Sequence, residues 1–155
     1  MFYMDVEKTI RGYLADVIHM SLATSRNNKP WVCEVHFVFD DDLNLYFRST
    51  EARRHSKDIA DNDFVAGNII AQHTVGQKVR GVYFEGRAEL LNDIDENHLA
   101  YILYCKRFNL GKAILEEAKM ETGHKFYKIS VDTFYLFDSR ESTPSQKYAL
   151  PWRRG

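Results

Sequence analysis

The chain has 155 residues, 45% of them hydrophobic and 14% aromatic, which predicts one folded domain over residues 1–155 and excludes general disorder. Lysine plus arginine (21) nearly balance aspartate plus glutamate (22), so no overall positive field favours nucleic acid or an anionic membrane as a partner. The first ten residues carry charge too early for a signal peptide, and no apolar run reaches transmembrane length. We therefore expect a cytoplasmic protein.

The first third of the chain predicts one helix followed by hairpins. Apolar residues at helical spacing indicate an amphipathic helix over residues 4–17. Strand patterns follow at residues 19–25, 31–39 and 43–49, separated by the short turns RNNKP and DDD. Such turns leave no room for helical crossovers, so the strands are expected to be antiparallel.

A short basic helix is predicted over residues 51–61, with Ser49 and Thr50 as hydroxyl N-caps. Its first two turns hold four side chains that are basic or can become so: Arg53, Arg54, His55 and Lys57. A helix N-terminus already carries partial positive charge, so this cluster suggests a missing anion such as phosphate. The alternative is a solvated basic turn.

Two further strands are predicted at residues 64–72 and 81–91, and Gly86 in the second suggests a β-bulge. Between them, Gln77-Lys78-Val79-Arg80-Gly81 is a second local positive feature. Gly81 could let a ligand lie against the backbone, or the segment could be an ordinary loop that enters a strand.

The last third predicts two helices, one from residue 95 and one over 112–120, and a strand over 125–137 that bends near Asp132. The tail, residues 139–155, lacks periodicity and is expected to be extended or loosely docked. Six strands with hairpin connections indicate a small antiparallel barrel of α+β type.

No motif for protein-borne catalysis or metal binding is found. Cys33 and Cys105 form no C-x-x-C pair, and the six histidines form no H-E-x-x-H pattern, so we expect no metal site. His36 stands out in the middle of a strand, and His55 lies within the basic cluster. No catalytic nucleophile is assigned, so a bound cofactor is expected to carry any redox chemistry.

Four stretches resemble, in order and spacing, the FMN-binding split-barrel family of pyridoxamine 5′-phosphate oxidase. They are MSLATS, NKPWVCEVHFVFDDDLNLYFRST, RRHSKDIADNDFVAGNI and RGVYFEGRAELL, within residues 19–91. FYKISVDTFYLF resembles the closing strand of that family. The resemblance implies a six-stranded antiparallel split β-barrel with peripheral helices, a homodimer, and two FMN sites along the dimer interface.

The resemblance also implies a set of FMN-binding residues. A hydroxyl of Ser49 or Thr50, together with Arg54 and His55, corresponds to the phosphate site. The strand residues beside the flavin ring in that family correspond to Val35, His36 and Phe37. The arginine and the residue after it, before the central strand, correspond to Arg80 and Gly81. The full set is Val35, His36, Phe37, Arg48, Ser49, Thr50, Arg53, Arg54, His55, Arg80 and Gly81.

This sequence departs from the family at three places. His55 stands where lysine is usual, which would make the phosphate grip weaker or pH-dependent. Gly81 stands where some members have glutamine. The true oxidases have a longer C-terminal region that binds the substrate phosphate, and we do not equate Trp152-Arg153-Arg154 with it.

We therefore expect an FMN-dependent oxidoreductase with an unidentified small-molecule substrate, electron donor and set of catalytic residues. The alternative is a non-catalytic haem- or flavin-binding module, with His36, His55 or His73 as the axial ligand to iron. A third hypothesis, a small-barrel nucleic-acid binder, disagrees with the net charge of −1.

Overall fold

A computed structural model describes residues 5–138 and 147–153 as four helices and seven strands. The helices are α1 (Val6–Asp16), α2 (Arg54–Asp61), α3 (Leu99–Phe108) and α4 (Ala113–Lys119). The strands are β1 (His19–Arg26), β2 (Lys29–Phe39), β3 (Leu45–Ser49), β4 (Phe64–Ile69), β5 (Arg80–Leu90), β6 (Lys125–Asp138) and β7 (Lys147–Pro151). None of the helices in these two stretches is long and apolar enough to cross a membrane.

All strand pairs are antiparallel, and their order is β3-β2-β1-β4-β5-β6-β7. Strand β3 also pairs with the first residues of β6, so six strands close into a ring. The predicted α+β architecture, an antiparallel barrel with helices at its periphery, is confirmed. Closure leaves α2, α3 and α4 outside the ring, where their ends can border a site.

The bulge predicted at Gly86 is confirmed. Glu85 pairs with Thr133 while Gly86 pairs with Val131, so Asp132 is the extra residue on β6. A Cβ added at Gly86 would lie 2.3 Å from a backbone carbonyl oxygen of β6. The close approach therefore requires glycine at this position.

The tail contains a seventh strand that the sequence does not predict. Strand β7 pairs with the second half of β6, and the backbone N–H groups of Trp152 and Arg153 donate to the Asp132 carbonyl at 2.8 and 3.1 Å. The tail is thus extended and firmly docked over residues 147–153. Residues 139–146 and 154–155, which the same prediction covers, lie outside the described residues.

Two strands, β3 and β4, are shorter than predicted. Strand β3 begins at Leu45 because Leu43 has a φ of 56° in the preceding turn. The Asp40 carboxylate stabilises that turn by accepting 2.9 Å hydrogen bonds from the backbone and side-chain amides of Asn44. Strand β4 ends at Ile69, and the following residues pass into the loop before β5.

Two hydrophobic clusters hold the helices on the barrel. The larger fills the ring and includes Ile10, Tyr13 and Leu14 of α1, all at most 1% exposed. The smaller lies where α3 and α4 pack on the strands, and its buried members are Val38, Tyr46, Ala100, Tyr104, Ile114 and Phe126. This second cluster fixes α3 beside β2.

Arg107 ties α3 to the C-terminal end of α1. Its guanidinium donates to the carbonyl oxygens of Leu14 at 2.8 Å, Val17 at 2.7 Å and Phe37 at 3.3 Å. Carbonyls at the end of a helix lack intrahelical partners, so a cation there satisfies them and complements the helix dipole. Burial lowers the pKa of Arg107 from its ordinary value.

Candidate functional site

A cleft of about 790 Å³ opens between β2, the end of β3, the N-terminus of α2 and the C-terminal end of α3. Seven of the eleven candidate residues line it: Val35, His36, Arg48, Ser49, Arg53, Arg54 and His55. The remaining lining residues are Trp31, Cys33, Glu34, Tyr104, Phe108, Leu110 and His124. The fold thus brings together residues from the strand pair and the basic helix that the sequence singled out.

Four candidates do not line the cleft. Phe37 is fully buried in the barrel core, and Thr50 follows the last residue of β3. The Arg80 guanidinium lies 4.9 Å from the centroid of the Tyr13 ring, and buried Gly81 lies against the side chain of Ile70. Within one copy of the chain, Arg80 and Gly81 therefore lie outside the cleft.

The N-terminus of α2 faces the cleft without a side-chain cap. Its N-cap is Arg53, which makes no side-chain cap hydrogen bond, and the first turn holds no acidic residue. The prediction that Ser49 or Thr50 caps this helix is therefore wrong. Residues 50–53 instead form a turn, in which the backbone N–H of Arg53 donates to the Thr50 carbonyl at 3.3 Å. The first N–H groups of α2 remain available to an anion.

Ser49 and His55 form a buried pair at the end of the cleft. The Ser49 hydroxyl lies 2.7 Å from His55 Nε2, and the two residues are 5% and 7% exposed. Burial, and then the nearby charge of Arg53, lower the pKa of His55 below its ordinary value of 6.5. The imidazole is therefore neutral at pH 7. It positions the Ser49 hydroxyl and does not add its own positive charge to those of Arg53 and Arg54.

Arg53 and Arg54 have no carboxylate partner in the described part of the chain. No ion pair joins either guanidinium to an acidic group within residues 5–138 and 147–153. The Arg54 guanidinium instead lies 4.4 Å from the centroid of the Trp31 ring. This cation–π contact restrains the Arg54 side chain while leaving its N–H donors free at their edges.

Three aromatic side chains, His36, Tyr104 and Phe108, form an aromatic wall in the cleft. The His36 and Phe108 rings lie 5.4 Å apart, and the Phe108 and Tyr104 rings lie 5.3 Å apart. The Tyr104 hydroxyl donates to the His36 carbonyl at 2.9 Å and so anchors α3 to β2. His36 is exposed, whereas Val35 packs against the barrel core, so these neighbouring residues of β2 face opposite sides of the sheet.

Arg48 and His124 line the cleft and are joined through the carboxylate of Glu117. Arg48 Nη2 donates to Glu117 Oε2 at 2.6 Å, and Glu117 Oε1 lies 2.6 Å from His124 Nδ1. Arg48 Nε is buried and has no hydrogen-bond partner in the described part of the chain. Sequence reasoning missed Glu117 and His124, because nearly 70 residues separate them from Arg48 and no spacing links them.

The donors and surfaces of the cleft suit FMN. Its volume lies within the range of roughly 300–1,000 Å³ typical of small-molecule sites. Two free arginines and an open helix N-terminus match a phosphate, and the aromatic wall matches a flat ring. No cluster of three or more metal-ligating side chains occurs in the two described stretches.

Comparison with known proteins finds relatives in sequence and in fold. A UPF0306 protein from Serratia proteamaculans (strain 568) is 27% identical over 123 residues, which cover 74% of this chain and 85% of that protein.

Two solved structures share the fold at low identity. A haem-binding protein from Mycobacterium smegmatis has a TM-score of 0.76 and 14% identity, over 98% of this chain and 60% of that one. HutZ, the haem storage protein from Vibrio cholerae, has a TM-score of 0.65 and 16% identity, over 83% and 91% of the two chains.

The family model described as pyridoxamine 5′-phosphate oxidase matches residues 6–138, which span the complete barrel from α1 to the end of β6. The chain therefore belongs to the pyridoxamine 5′-phosphate oxidase family.

Proposed function

We propose that the protein is an FMN-dependent oxidoreductase that acts on a small molecule. The observation that carries this proposal is the pair Arg53 and Arg54, unpaired among the described residues, at an open helix N-terminus. A phosphate monoester matches that charge and those N–H donors. The same cleft also holds the aromatic wall, which supports a phosphorylated flat ring as the ligand.

Each group of cleft residues has a separate role in this proposal. Arg53, Arg54 and the first N–H groups of α2 hold the phosphate, and Ser49, oriented by neutral His55, supplies a further hydroxyl donor. His36 and Phe108 flank the ring. Bound FMN would supply hydride and electron transfer, and the cations of the cleft would favour negative charge at the site.

We also propose a homodimer in which Arg80 and Gly81 of the second copy complete each site. Support comes from apolar side chains on the outer face of the sheet, where Val32 is 59% and Phe64 55% exposed. Ala23 of β1 pairs with Val32 on one side and with β4 on the other, so these side chains share one face. A stable monomer at micromolar concentration in light scattering would contradict this assembly.

The first test is to release any bound cofactor by heat and to record its mass and absorbance. The second is to titrate the apoprotein with FMN while following tryptophan fluorescence in a Trp152→Phe variant, which keeps only Trp31. Quenching is expected because Trp31 lines the cleft. A ligand that is not a flavin, or no response to FMN, would refute the proposal.

Non-catalytic haem binding is a second candidate function. The exposed imidazoles of His36 and His124 line the cleft, and similar folds occur in proteins described as haem-binding and haem-storing. Of the other predicted axial ligands, His55 is buried against Ser49, and His73 lies outside the cleft. An intense Soret band in the purified protein, instead of flavin bands, would favour this candidate.

A further inference from the structure

One ring nitrogen of His124 is not used by any of the interactions described above. It lines the cleft, and its side chain is 47% exposed. Its Nδ1 lies 2.6 Å from Glu117 Oε1, whereas Nε2 has no hydrogen-bond partner within residues 5–138 and 147–153. The residue comes just before β6, so the start of a barrel strand fixes its backbone.

The carboxylate of Glu117 determines the orientation and tautomer of His124. Burial acts to raise the pKa of Glu117, but hydrogen bonds from His124 and Arg48 outweigh it and leave that pKa below its ordinary value. The ionised carboxylate can only accept hydrogen bonds, so Nδ1 of His124 keeps its hydrogen. The lone pair of the neutral ring is therefore on Nε2.

Arg48 makes this arrangement rigid. The guanidinium donates to the second oxygen of Glu117 at 2.6 Å and lies 5.3 Å from the centroid of the Phe126 ring. A carboxylate held in this way cannot follow a rotation of the histidine, so the imidazole keeps one orientation at the cleft wall. A histidine oriented by a carboxylate, with its other nitrogen free, is the arrangement that general acid–base catalysis requires.

We propose that His124 is the proton donor and acceptor for the substrate. This inference rests on the proposed flavin function. In the direction of substrate oxidation, a C–H bond gives its hydrogen and two electrons to the flavin, and the adjoining O–H or N–H gives its proton to His124 Nε2. In the direction of reduction, the substrate receives a hydride, and imidazolium Nε2–H returns the proton. The proton on Nε2 then exchanges with solvent through the open side of the cleft.

The experiment uses two electron acceptors that differ in proton demand. Protein loaded with FMN is reduced by dithionite without oxygen and then reoxidised in a stopped-flow instrument by menadione or by ferricyanide. Menadione takes up a hydride and a proton to become the hydroquinone, whereas ferricyanide takes up one electron and no proton. General acid catalysis contributes about 10²–10⁴-fold. We expect His124→Gln to slow reoxidation by menadione by about a hundredfold and to leave reoxidation by ferricyanide unchanged.

Other proton donors in the cleft need their own control. Glu117 and Arg48 touch His124 or its partner directly, and the other charged or titratable groups that line the cleft are Cys33, Glu34, His36, Arg53, Arg54, His55 and Tyr104. His36→Gln tests the strongest competitor among them.

Matched variants and a binding measurement separate the outcomes. His73→Gln replaces a histidine outside the cleft and should change neither rate, and His124→Gln should bind FMN within about twofold of the wild type by fluorescence. Glu117→Gln should shift the neutral His124 ring away from the Nδ1–H tautomer in ¹⁵N spectra of the apoprotein. Equal slowing with both acceptors, no slowing, or selective slowing with menadione in His36→Gln but not in His124→Gln would overturn the proposal. A wild type that retains no flavin would instead refute the proposed function.

Discussion

Arg54 and Trp31 hold one another in the cleft, with 4.4 Å between the guanidinium carbon and the ring centroid. The same kind of contact joins Arg11 and Trp152 at 5.5 Å on a part of the surface outside the cleft. The described residues thus contain two arginine–tryptophan pairs, of which one borders the proposed phosphate site. This gives a matched pair of variants for testing what Arg54 binds.

Arg54→Ala is expected to weaken FMN binding and to leave riboflavin binding nearly unchanged. A hydrogen bond to a charged group contributes about 1.5–3 kcal/mol, which corresponds to roughly ten- to a hundredfold in affinity. Riboflavin lacks the phosphate and therefore does not use this contact. Both affinities can be measured by fluorescence titration of the apoprotein.

Arg11→Ala is the control, since it removes the corresponding arginine–tryptophan contact elsewhere. It should leave the affinity for both flavins unchanged. Equal losses of FMN and riboflavin affinity in Arg54→Ala would show that the basic cluster is only a solvated turn.

His36→Ala is expected to weaken FMN and riboflavin by the same factor, because His36 belongs to the aromatic wall and not to the phosphate end. A ring contact contributes about 0.5–1.5 kcal/mol, or roughly two- to twelvefold in affinity. The absorbance bands of the bound flavin should also shift. An unchanged spectrum and unchanged affinities would mean that the His36 side chain does not contact the ring.

The sequence predicted the barrel because its signals are local. Alternation along β2 and β5, the turns between the first strands, and Gly86 at the bulge each depend on a few neighbouring residues. It missed β7, whose five residues end at Pro151 and are ordered by pairing with β6. A strand that is stabilised mainly by its partner leaves little trace in its own composition.

The candidate site was predicted where one short segment supplies it. Arg53, Arg54 and the end of β3 are close in the chain and remain close in the fold. The electrostatic role of His55 was not predictable, because its neutral state follows from burial and from its bond to Ser49. Glu117 and His124 meet Arg48 only after the barrel has closed through the pairing of β3 with β6.

The stability of the protein is expected to fall below about pH 6.5 in a way that depends on His55. The pKa of His55 is lowered in the folded protein, so below its ordinary value the unfolded chain binds a proton that the folded protein does not. The contribution is complete above that value and is lost as the pH falls towards the folded pKa. One proton corresponds to a slope of at most about 1.4 kcal/mol per pH unit.

Urea unfolding between pH 8 and 5 measures this slope. His55→Gln, which keeps a polar side chain opposite Ser49 but cannot titrate, should show a shallower fall than the wild type. His73→Gln should fall like the wild type, because His73 is exposed. A slope that is identical in His55→Gln and in the wild type would contradict the prediction.

Replacing either of two glycines by alanine is expected to change the free energy of unfolding, in opposite directions. Gly12 lies within α1 and has nothing within 4 Å of an added Cβ, so Gly12→Ala should stabilise the protein by roughly 0.5–1 kcal/mol. At Gly86 the same atom would lie 2.3 Å from a carbonyl oxygen of β6, so Gly86→Ala should destabilise it by about 1–3 kcal/mol. Thermal unfolding of both variants under one condition checks the two signs together.

Arg107 connects the N-terminal helix α1 to α3, the helix that carries two residues of the aromatic wall. Its neighbours on α3, Tyr104 and Phe108, border the cleft, while its own guanidinium holds the carbonyls at the end of α1. A displacement of α1 therefore pulls on the helix that carries the aromatic wall. Tags or fusions placed before α1 are therefore expected to alter the affinity of a ligand bound in the cleft.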